Sequence, residues 1–119
     1  MEKIKSVYLI WHGYHLILPQ VHRYTLGNRI DKLFIEIIEQ ISIAIFVARE
    51  RRLSHVETAL QKLDTQKLLL LILWESKSIN NKKYIILSET IEEIGRMLGG
   101  WYGQLVKQNS PAKAGEKWR

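Results

Sequence analysis

The sequence predicts an all-α protein, an up-down antiparallel bundle of four helices, from three observations. Apolar residues recur every three or four positions in four separate segments, which is the period of an amphipathic helix, and no run has the period of two that a strand requires. The two prolines, Pro19 and Pro111, leave the chain between them free of the strongest helix breaker. The connections are short, which favours antiparallel neighbours. We therefore assign residues 1–106 to one four-helix domain.

The first two helices are predicted over residues 4–18 and 25–51. An apolar stripe runs along the first, which Pro19 ends. Thr25 is a suitable N-cap for the second. We expect the second helix to end at RERR, residues 49–52, because cations stabilise the negative end of the helix dipole.

The third helix is predicted over residues 54–78. It opens with an S-x-x-E capping box, Ser54 to Glu57, which is a fairly specific start signal. Every residue from Leu68 to Trp74 is apolar. A helix that is apolar all round is buried all round, so we expect this stretch to be covered on every side.

The fourth helix is predicted over residues 81–106, with Asn80 available as a cap. It holds four of the chain's seven glycines, although each costs about 1 kcal/mol relative to alanine inside a helix. Gly95, Gly99 and Gly103 are spaced by four and form a flat strip that would let another helix backbone approach closely. The alternative is that the helix frays and ends at a glycine cap. The close neighbour is either a helix of the same chain or one of another subunit.

Apolar residues outside the helix faces that we assign to the core indicate that the close neighbour belongs to another subunit. The helices carry more apolar residues than the interior of one four-helix bundle needs. The surplus residues are Ile35, Ile43, Phe46 and the stretch from Leu68 to Trp74. We therefore predict a homo-oligomer held together by helix faces.

The composition limits the remaining possibilities. The chain has no cysteine, which excludes disulfides, thiolate catalysis and zinc sites with sulfur ligands, and fits a reducing compartment. We expect no signal peptide and no membrane span, because the longest apolar run is far too short, and we predict a cytoplasmic protein. Residues 107–119 are polar, with Pro and Gly, and are predicted to form a mobile basic tail.

No catalytic residue, cofactor or metal site is predicted. His12 and His15 would share a helix face, but two imidazoles make a poor metal site without a carboxylate at helical spacing. The Glu-x-x-His pairs of a di-iron bundle are missing, as are a phosphate-binding glycine loop and a nucleophile elbow. We expect no enzymatic activity.

The net charge of +6 favours polyanionic partners such as nucleic acid. In an up-down bundle one pole would collect these cations: Lys3, Lys5, Arg49, Arg51, Arg52 and Lys107. The opposite pole would carry Arg23, Lys77, Lys82 and Lys83. Such clusters suit phosphates, and an ordinary solvated surface is the alternative. The aromatic residues lie mostly on core stripes, so we expect no stacking platform for bases.

Two stretches carry a family resemblance. RYTLGNRI, residues 23–30, and LSETIEEIGRMLGGWYGQL, residues 87–105, resemble the accessory variability determinant (Avd) proteins of diversity-generating retroelements. The likeness spans about residues 7–106. The four-helix proteins of 23S ribosomal RNA intervening sequences are a sister group, but their Arg-Arg-Ala-Ala and Asn-Ile-Ala-Glu-Gly stretches are missing here.

The resemblance implies a basic, barrel-like homopentamer that accompanies an error-prone reverse transcriptase. It implies binding to that enzyme and to template RNA and DNA, in support of mutagenic cDNA synthesis. The binding surface of the family is diffuse, so no fixed site is transferred from it, and we predict eight polymerase or nucleic-acid contacts among the basic residues of this chain: Arg23, Arg29, Arg49, Arg51, Arg52, Lys67, Lys82 and Lys83. A plain protein-interaction bundle that binds an acidic partner without nucleic acid is the competing interpretation.

Overall fold

The computed structural model describes residues 1–109, which form four helices. Helix α1 is Glu2–Leu16. Helix α2 follows Pro19 in three continuous parts: an α-helical turn, Gln20–His22, a π-helical turn, Arg23–Gly27, and an α-helix, Asn28–Phe46. Helices α3 and α4 are Arg49–Glu75 and Asn81–Asn109. Helix α4 thus continues three residues beyond its predicted end, and residues 110–119 of the predicted tail lie outside the described part of the chain.

Each helix packs against two neighbours in the cyclic order α1, α2, α3, α4, so α1 and α3 occupy opposite corners. This arrangement confirms the predicted helical bundle. Trp11 and Phe34 are the largest fully buried side chains, and their rings lie 6.1 Å apart between α1 and α2. The remaining core consists mainly of leucine and isoleucine from all four helices.

Helix α1 is much shorter than the other three. Its first residues lie level with the middle of α4, where a groove of about 170 Å³ is lined by Ile4, Ile41 and Ile94 among others. Beyond this level only α2, α3 and α4 continue, around a second small core that contains Val56 and Leu105. The bundle therefore has four helices at one end and three at the other.

Polar contacts fix α1 against α2. The indole N–H of Trp11 donates to the Asp31 carboxylate at 3.2 Å, and the His15 ring stacks on Trp11 at 5.3 Å. His15 Nε2 also lies 3.1 Å from the Arg23 carbonyl oxygen in the π-helical turn. Burial, reinforced by the Asp31 carboxylate, raises the pKa of Tyr8 on the same face. These contacts join α1 to the irregular start of α2.

Three predicted helix boundaries are wrong. Thr25 caps no helix, because α2 already begins after Pro19 and the Thr25 hydroxyl donates to the Val21 carbonyl inside it. Helix α2 ends at Phe46, and the extended backbone of Val47 and Ala48 reverses the chain without glycine or proline.

The sequence RERR therefore opens α3 rather than closing α2. Ser54 lies inside α3, where its hydroxyl contacts the Arg51 carbonyl, so the predicted capping box does not start the helix. The cap predicted for the fourth helix is present, since the Asn80 side-chain oxygen accepts the Lys83 backbone N–H at 2.9 Å.

Helix α3 ends in a Schellman motif. The backbone N–H of Ser78 donates to the Leu73 carbonyl, and that of Lys77 donates to the Trp74 carbonyl. Lys77 occupies the left-handed position of this motif, with φ of 66°, where glycine is usual. A side chain there costs roughly 1 kcal/mol in backbone strain.

One buried polar side chain interrupts the core of α3. Gln66 is fully buried, and neither its oxygen nor its nitrogen has a hydrogen-bond partner among the described residues. An unpaired buried amide costs roughly 1–3 kcal/mol. Further along α3, Leu68 and Ile72 are 57 % and 40 % exposed. The prediction that this stretch is covered on every side is wrong within one chain, because α3 turns its outer face away from both neighbours.

The glycine strip is open along most of its length. A Cβ on Gly95 would lie 3.4 Å from the side chains of Leu63 and Lys67, which is ordinary contact. At Gly99 and Gly103 it would meet no described atom within 4 Å. Helix α4 continues through these glycines to Asn109, so it does not end at a glycine cap. Within residues 1–109, no helix backbone packs closely on Gly99 or Gly103.

Candidate nucleic-acid interface

One end of the bundle, which we call the arginine end, consists of Arg49, Arg51, Arg52 and Lys107. The three arginines occupy the first turn of α3, and Lys107 the last turn of α4. None of the four forms an ion pair within residues 1–109. The positive end of the α3 dipole adds to their field, and Glu50 is the acidic residue in that turn. The arginine end is therefore strongly positive.

Arg52 also has a structural role at this end. Its guanidinium donates to the carbonyls of Val47 at 3.1 Å and Ile45 at 3.4 Å, which close α2. A cation thus does stabilise the end of α2, as the dipole argument predicts, although it comes from the next helix. Arg49 and Arg51 are exposed and make no such bond in the described residues.

Lys3 does not join the arginine end. Its ammonium pairs with Glu93 at 2.6 Å, and Glu93 precedes Lys107 by fourteen residues, or about 21 Å along α4. The hydrogen bond from Lys3 and its charge lower the pKa of the Glu93 carboxyl. Lys5 pairs with Glu2 at 3.2 Å on α1 itself. The prediction that these lysines gather with the arginines is wrong because α1 begins halfway along the bundle.

The opposite end, which we call the aromatic end, consists of Trp74, Lys77, Lys82, Lys83 and Tyr84. The Trp74 and Tyr84 rings stack with centroids 5.0 Å apart and planes 17° from parallel. The Trp74 indole N–H donates to the Asn81 side-chain oxygen at 2.7 Å. The Lys83 ammonium lies 5.1 Å from the centre of the Tyr14 ring. None of the three lysines has an ion-pair partner within residues 1–109.

Arg23 lies at the same end of the bundle, in the π-helical turn. Its guanidinium donates twice to the Leu18 carbonyl, at 2.9 and 3.2 Å, and its carbon lies 5.9 Å from the centre of the Tyr24 ring. His22 beside it hydrogen-bonds the Ser78 hydroxyl, which joins the two loops at this end. Arg23 therefore holds local backbone in place as well as contributing positive charge.

Arg29 and Lys67 lie on the sides of the bundle, where carboxylates face them. Arg29 lies 3.8 Å from Glu36, which Lys62 approaches to 3.2 Å. Lys67 lies 3.3 Å from Glu92 across the α3–α4 seam. The structure thus places six of the eight predicted contacts at the two ends, where they have no carboxylate partner in the described residues, and two in ion pairs.

Sequence reasoning missed the aromatic pair. It assigned Trp74 and Tyr84 to core stripes, yet both are only half-buried at the rim of the aromatic end. The available signal was position, because Trp74 lies at the end of α3 and Tyr84 at the start of α4, each close to lysines. Both rings pack against the core but reach its rim, and the expectation of no stacking platform for bases stays a prediction.

Within residues 1–109, no group of three or more His, Asp or Glu side chains has an arrangement that could hold a metal ion. Each of the helices described is too short or too polar to cross a bilayer.

The fold and these two surfaces define the class of protein: a four-helix bundle with positive charge at both ends. Residues 2–105 match the bAvd-like family, and the chain belongs to that family. The match covers all four helices except the last residues of α4. Neither the curated proteins nor the solved structures gave a significant match.

Proposed function

We propose that this protein is a non-catalytic accessory factor of a diversity-generating retroelement, which binds the reverse transcriptase and its template RNA and DNA. Membership of the bAvd-like family supports the assignment. The observation that carries the nucleic-acid part is the arginine end, where Arg49, Arg51 and Arg52 have no carboxylate partner among the described residues. The protein would support mutagenic cDNA synthesis by holding polymerase and template together in the cytoplasm.

The protein would act as a homo-oligomer, and the exposed apolar residues support this. One apolar strip follows α1 into α2, with residues between 61 % and 71 % exposed: Leu9, Leu16, Ile17, Val21 and Tyr24. A second lies on α3, at Leu68 and Ile72. Because α1 and α3 occupy opposite corners, contact between the two strips would be head-to-tail, which closes into a ring if the rotation permits. The pentameric number follows from the family resemblance.

Binding would depend mainly on phosphates. Cations release counterions when they neutralise phosphates, so affinity falls with salt in proportion to the contacts made. Arginine forms two parallel hydrogen bonds to a phosphate group, and the guanidinium groups of Arg49 and Arg51 have no hydrogen-bond or ion-pair partner within residues 1–109. The reverse transcriptase would be the second ligand of this charged surface.

The experiment is a salt titration of RNA binding by filter retention. Replacing Arg49, Arg51 and Arg52 together with Gln removes three cations that could contact phosphates, of which Arg52 would do so only through the nitrogen that does not bind the carbonyls of α2. We expect the slope of log affinity against log salt to fall by about 2 for single-stranded RNA. Affinity at physiological salt should fall several tens of fold.

The control is the triple variant with Gln at Arg29, Lys62 and Lys67, which has the same net charge but loses cations that already pair with carboxylates. It should change the slope by much less. Wild-type protein that binds no RNA at low salt would refute the nucleic-acid role and favour a plain protein-interaction bundle. Equal effects of the two triple variants would show that net charge, and not the arginine end, governs binding.

A further inference from the structure

We propose that the cleft beside Trp74 at the aromatic end is a base-stacking subsite for single-stranded nucleic acid. The inference rests on the proposed function and adds to it a defined position and a contact to bases. Within residues 1–109 the arginine end has one exposed ring, Phe46 at the end of α2, whereas the aromatic end places the ring of Trp74 in the wall of a cleft that also contains two lysines.

The cleft has a volume of about 950 Å³ and lies between the end of α3 and the start of α4. It is broad and largely open to solvent. Its lining combines one indole, two lysines, two asparagines, one carboxylate and one aliphatic side chain: Trp74, Lys77, Lys82, Asn80, Asn81, Glu75 and Ile79. A nucleotide needs a flat apolar wall, polar groups at its edge and a cation near its phosphate, and this lining supplies all three.

The indole of Trp74 is held in place before any ligand binds. Tyr84 stacks on it at 5.0 Å, and the Asn81 side-chain oxygen accepts its N–H. Trp74 lines the cleft, whereas Tyr84, which covers one face of the indole, does not. The base would stack on the part of the indole that lines the cleft, and it would lose little affinity to ordering the side chain, because Tyr84 and Asn81 already hold the ring.

The lysines of the cleft are available to phosphates. Lys77 and Lys82 are exposed and form no ion pair within residues 1–109. Lys77 adopts the left-handed backbone conformation that closes α3, and a glycine at this position would carry no charge. Strained residues are often functional, and here the strained residue carries a cation at the rim of the cleft.

A single strand fits this subsite better than a duplex. Bases in a duplex are stacked on each other and expose only their edges, so they cannot stack on a protein ring without being extruded. Bases of a single strand present their faces, and stacking on an aromatic side chain tolerates any sequence. An acidic peptide would use the lysines but would gain nothing from the indole.

The test compares oligothymidylate of fifteen nucleotides with an abasic strand of the same length, using the full chain in fluorescence anisotropy. We expect wild-type protein to bind the thymidylate at least about fivefold more tightly than the abasic strand, because stacking of one base contributes about that factor or more. Trp74→Leu should remove this preference and leave abasic binding unchanged. Trp74→Phe should retain part of it. Tyr102→Leu, a half-buried aromatic near the arginine end, should leave it intact.

The outcomes separate the two proposals. Equal wild-type affinity for both strands would overturn the base-stacking subsite and leave phosphate binding in place. No wild-type binding to either strand would overturn the proposed nucleic-acid function together with the subsite. If Trp74→Leu does not fold by circular dichroism, Trp74→Phe decides the matter, and a preference that survives Trp74→Phe in full would refute the subsite. Lys77→Gln with Lys82→Gln should weaken binding to both strands alike, because both carry phosphates.

Discussion

The two ends of the bundle carry similar positive charge on different frameworks. At the arginine end three helices surround a small core, and the half-buried rings of Trp101 and Tyr102 pack against it. At the aromatic end four helices meet, and Trp74 lines an open cleft. Equal charge therefore does not imply equal recognition, because the exposed Phe46 at the arginine end stacks on no other ring within residues 1–109, whereas Trp74 at the aromatic end lines a cleft and is held by Tyr84.

The largest expected difference between the ends is in stability. Leu87 and Leu105 are both buried on α4, but Leu87 lies in the four-helix part and Leu105 in the three-helix part. We expect Leu87→Ala to lower the free energy of unfolding by about 4 kcal/mol and Leu105→Ala by about 2–3 kcal/mol, because the smaller core can collapse around the cavity. Urea denaturation at one fixed protein concentration measures both. Equal losses would contradict the packing difference.

Removing charge should affect both ends alike. We expect the triple variant with Gln at Lys77, Lys82 and Lys83 to lower the slope of log affinity for RNA against log salt by about 2. This is the change expected for the arginine triple variant. The ends are about 40 Å apart along the 27 residues of α3, so the two effects should add in the combined variant. Filter binding across a salt series tests this. A combined slope change no greater than that of either triple variant would show that one end alone binds RNA.

A substitution that relieves backbone strain at the aromatic end should stabilise the fold and weaken nucleic-acid binding. We expect Lys77→Gly to raise the free energy of unfolding by about 1 kcal/mol, because glycine adopts the left-handed conformation without steric cost. The same variant should weaken binding to single-stranded DNA. Ser76→Gly, at φ of −78°, is the matched control and should bring no gain. Thermal unfolding and anisotropy titration give the two readouts, and lower stability in Lys77→Gly would contradict the strain.

The smallest effect is expected for Lys3→Gln. Lys3 lowers the pKa of Glu93, so their pair stabilises the fold above the ordinary carboxyl range and this stabilisation is lost as the pH falls through the lowered value. The variant should return the pKa of Glu93 to its ordinary range, as seen by NMR titration of the carboxyl carbon. The salt slope of RNA binding should not change, because Lys3 lies outside the arginine end. A changed slope would place Lys3 in the interface.

The sequence predicted the helices better than the turn between α2 and α3. Hydrophobic period and Pro19 were enough to place four helices. The α2–α3 turn uses Val47 and Ala48, which carry no turn signal, so RERR looked like a helix end and Ser54 like a cap. In the folded protein the arginines nevertheless contact the ends of both helices, since Arg52 in the first turn of α3 donates a hydrogen bond to the Val47 carbonyl at the end of α2.

The site was predictable in its charges but not in its contacts. Helix polarity alone places Arg49 and Lys82 at opposite ends. An ion pair between two helices, such as Lys67 with Glu92, depends on the rotation of each helix about its axis. The hydrophobic pattern of the sequence does not specify that rotation closely enough to predict the pair. The stacked pair of Trp74 and Tyr84 was missed for the same reason, because an apolar stripe does not distinguish a buried ring from one at the rim.

The π-helical turn at Arg23–Gly27 has an evolutionary consequence. A π turn holds one residue more than an α turn over the same path, so removing one residue here leaves a continuous helix. Relatives with a single-residue deletion in this segment would keep the bundle, and Gln20–His22 would keep nearly the same face toward α1, because the turn changes from π to α over the same path. A deletion inside the regular part of α3 would instead rotate all residues beyond it by about 100°. Length variation among homologues is therefore expected to concentrate in this turn rather than in the middle of α3.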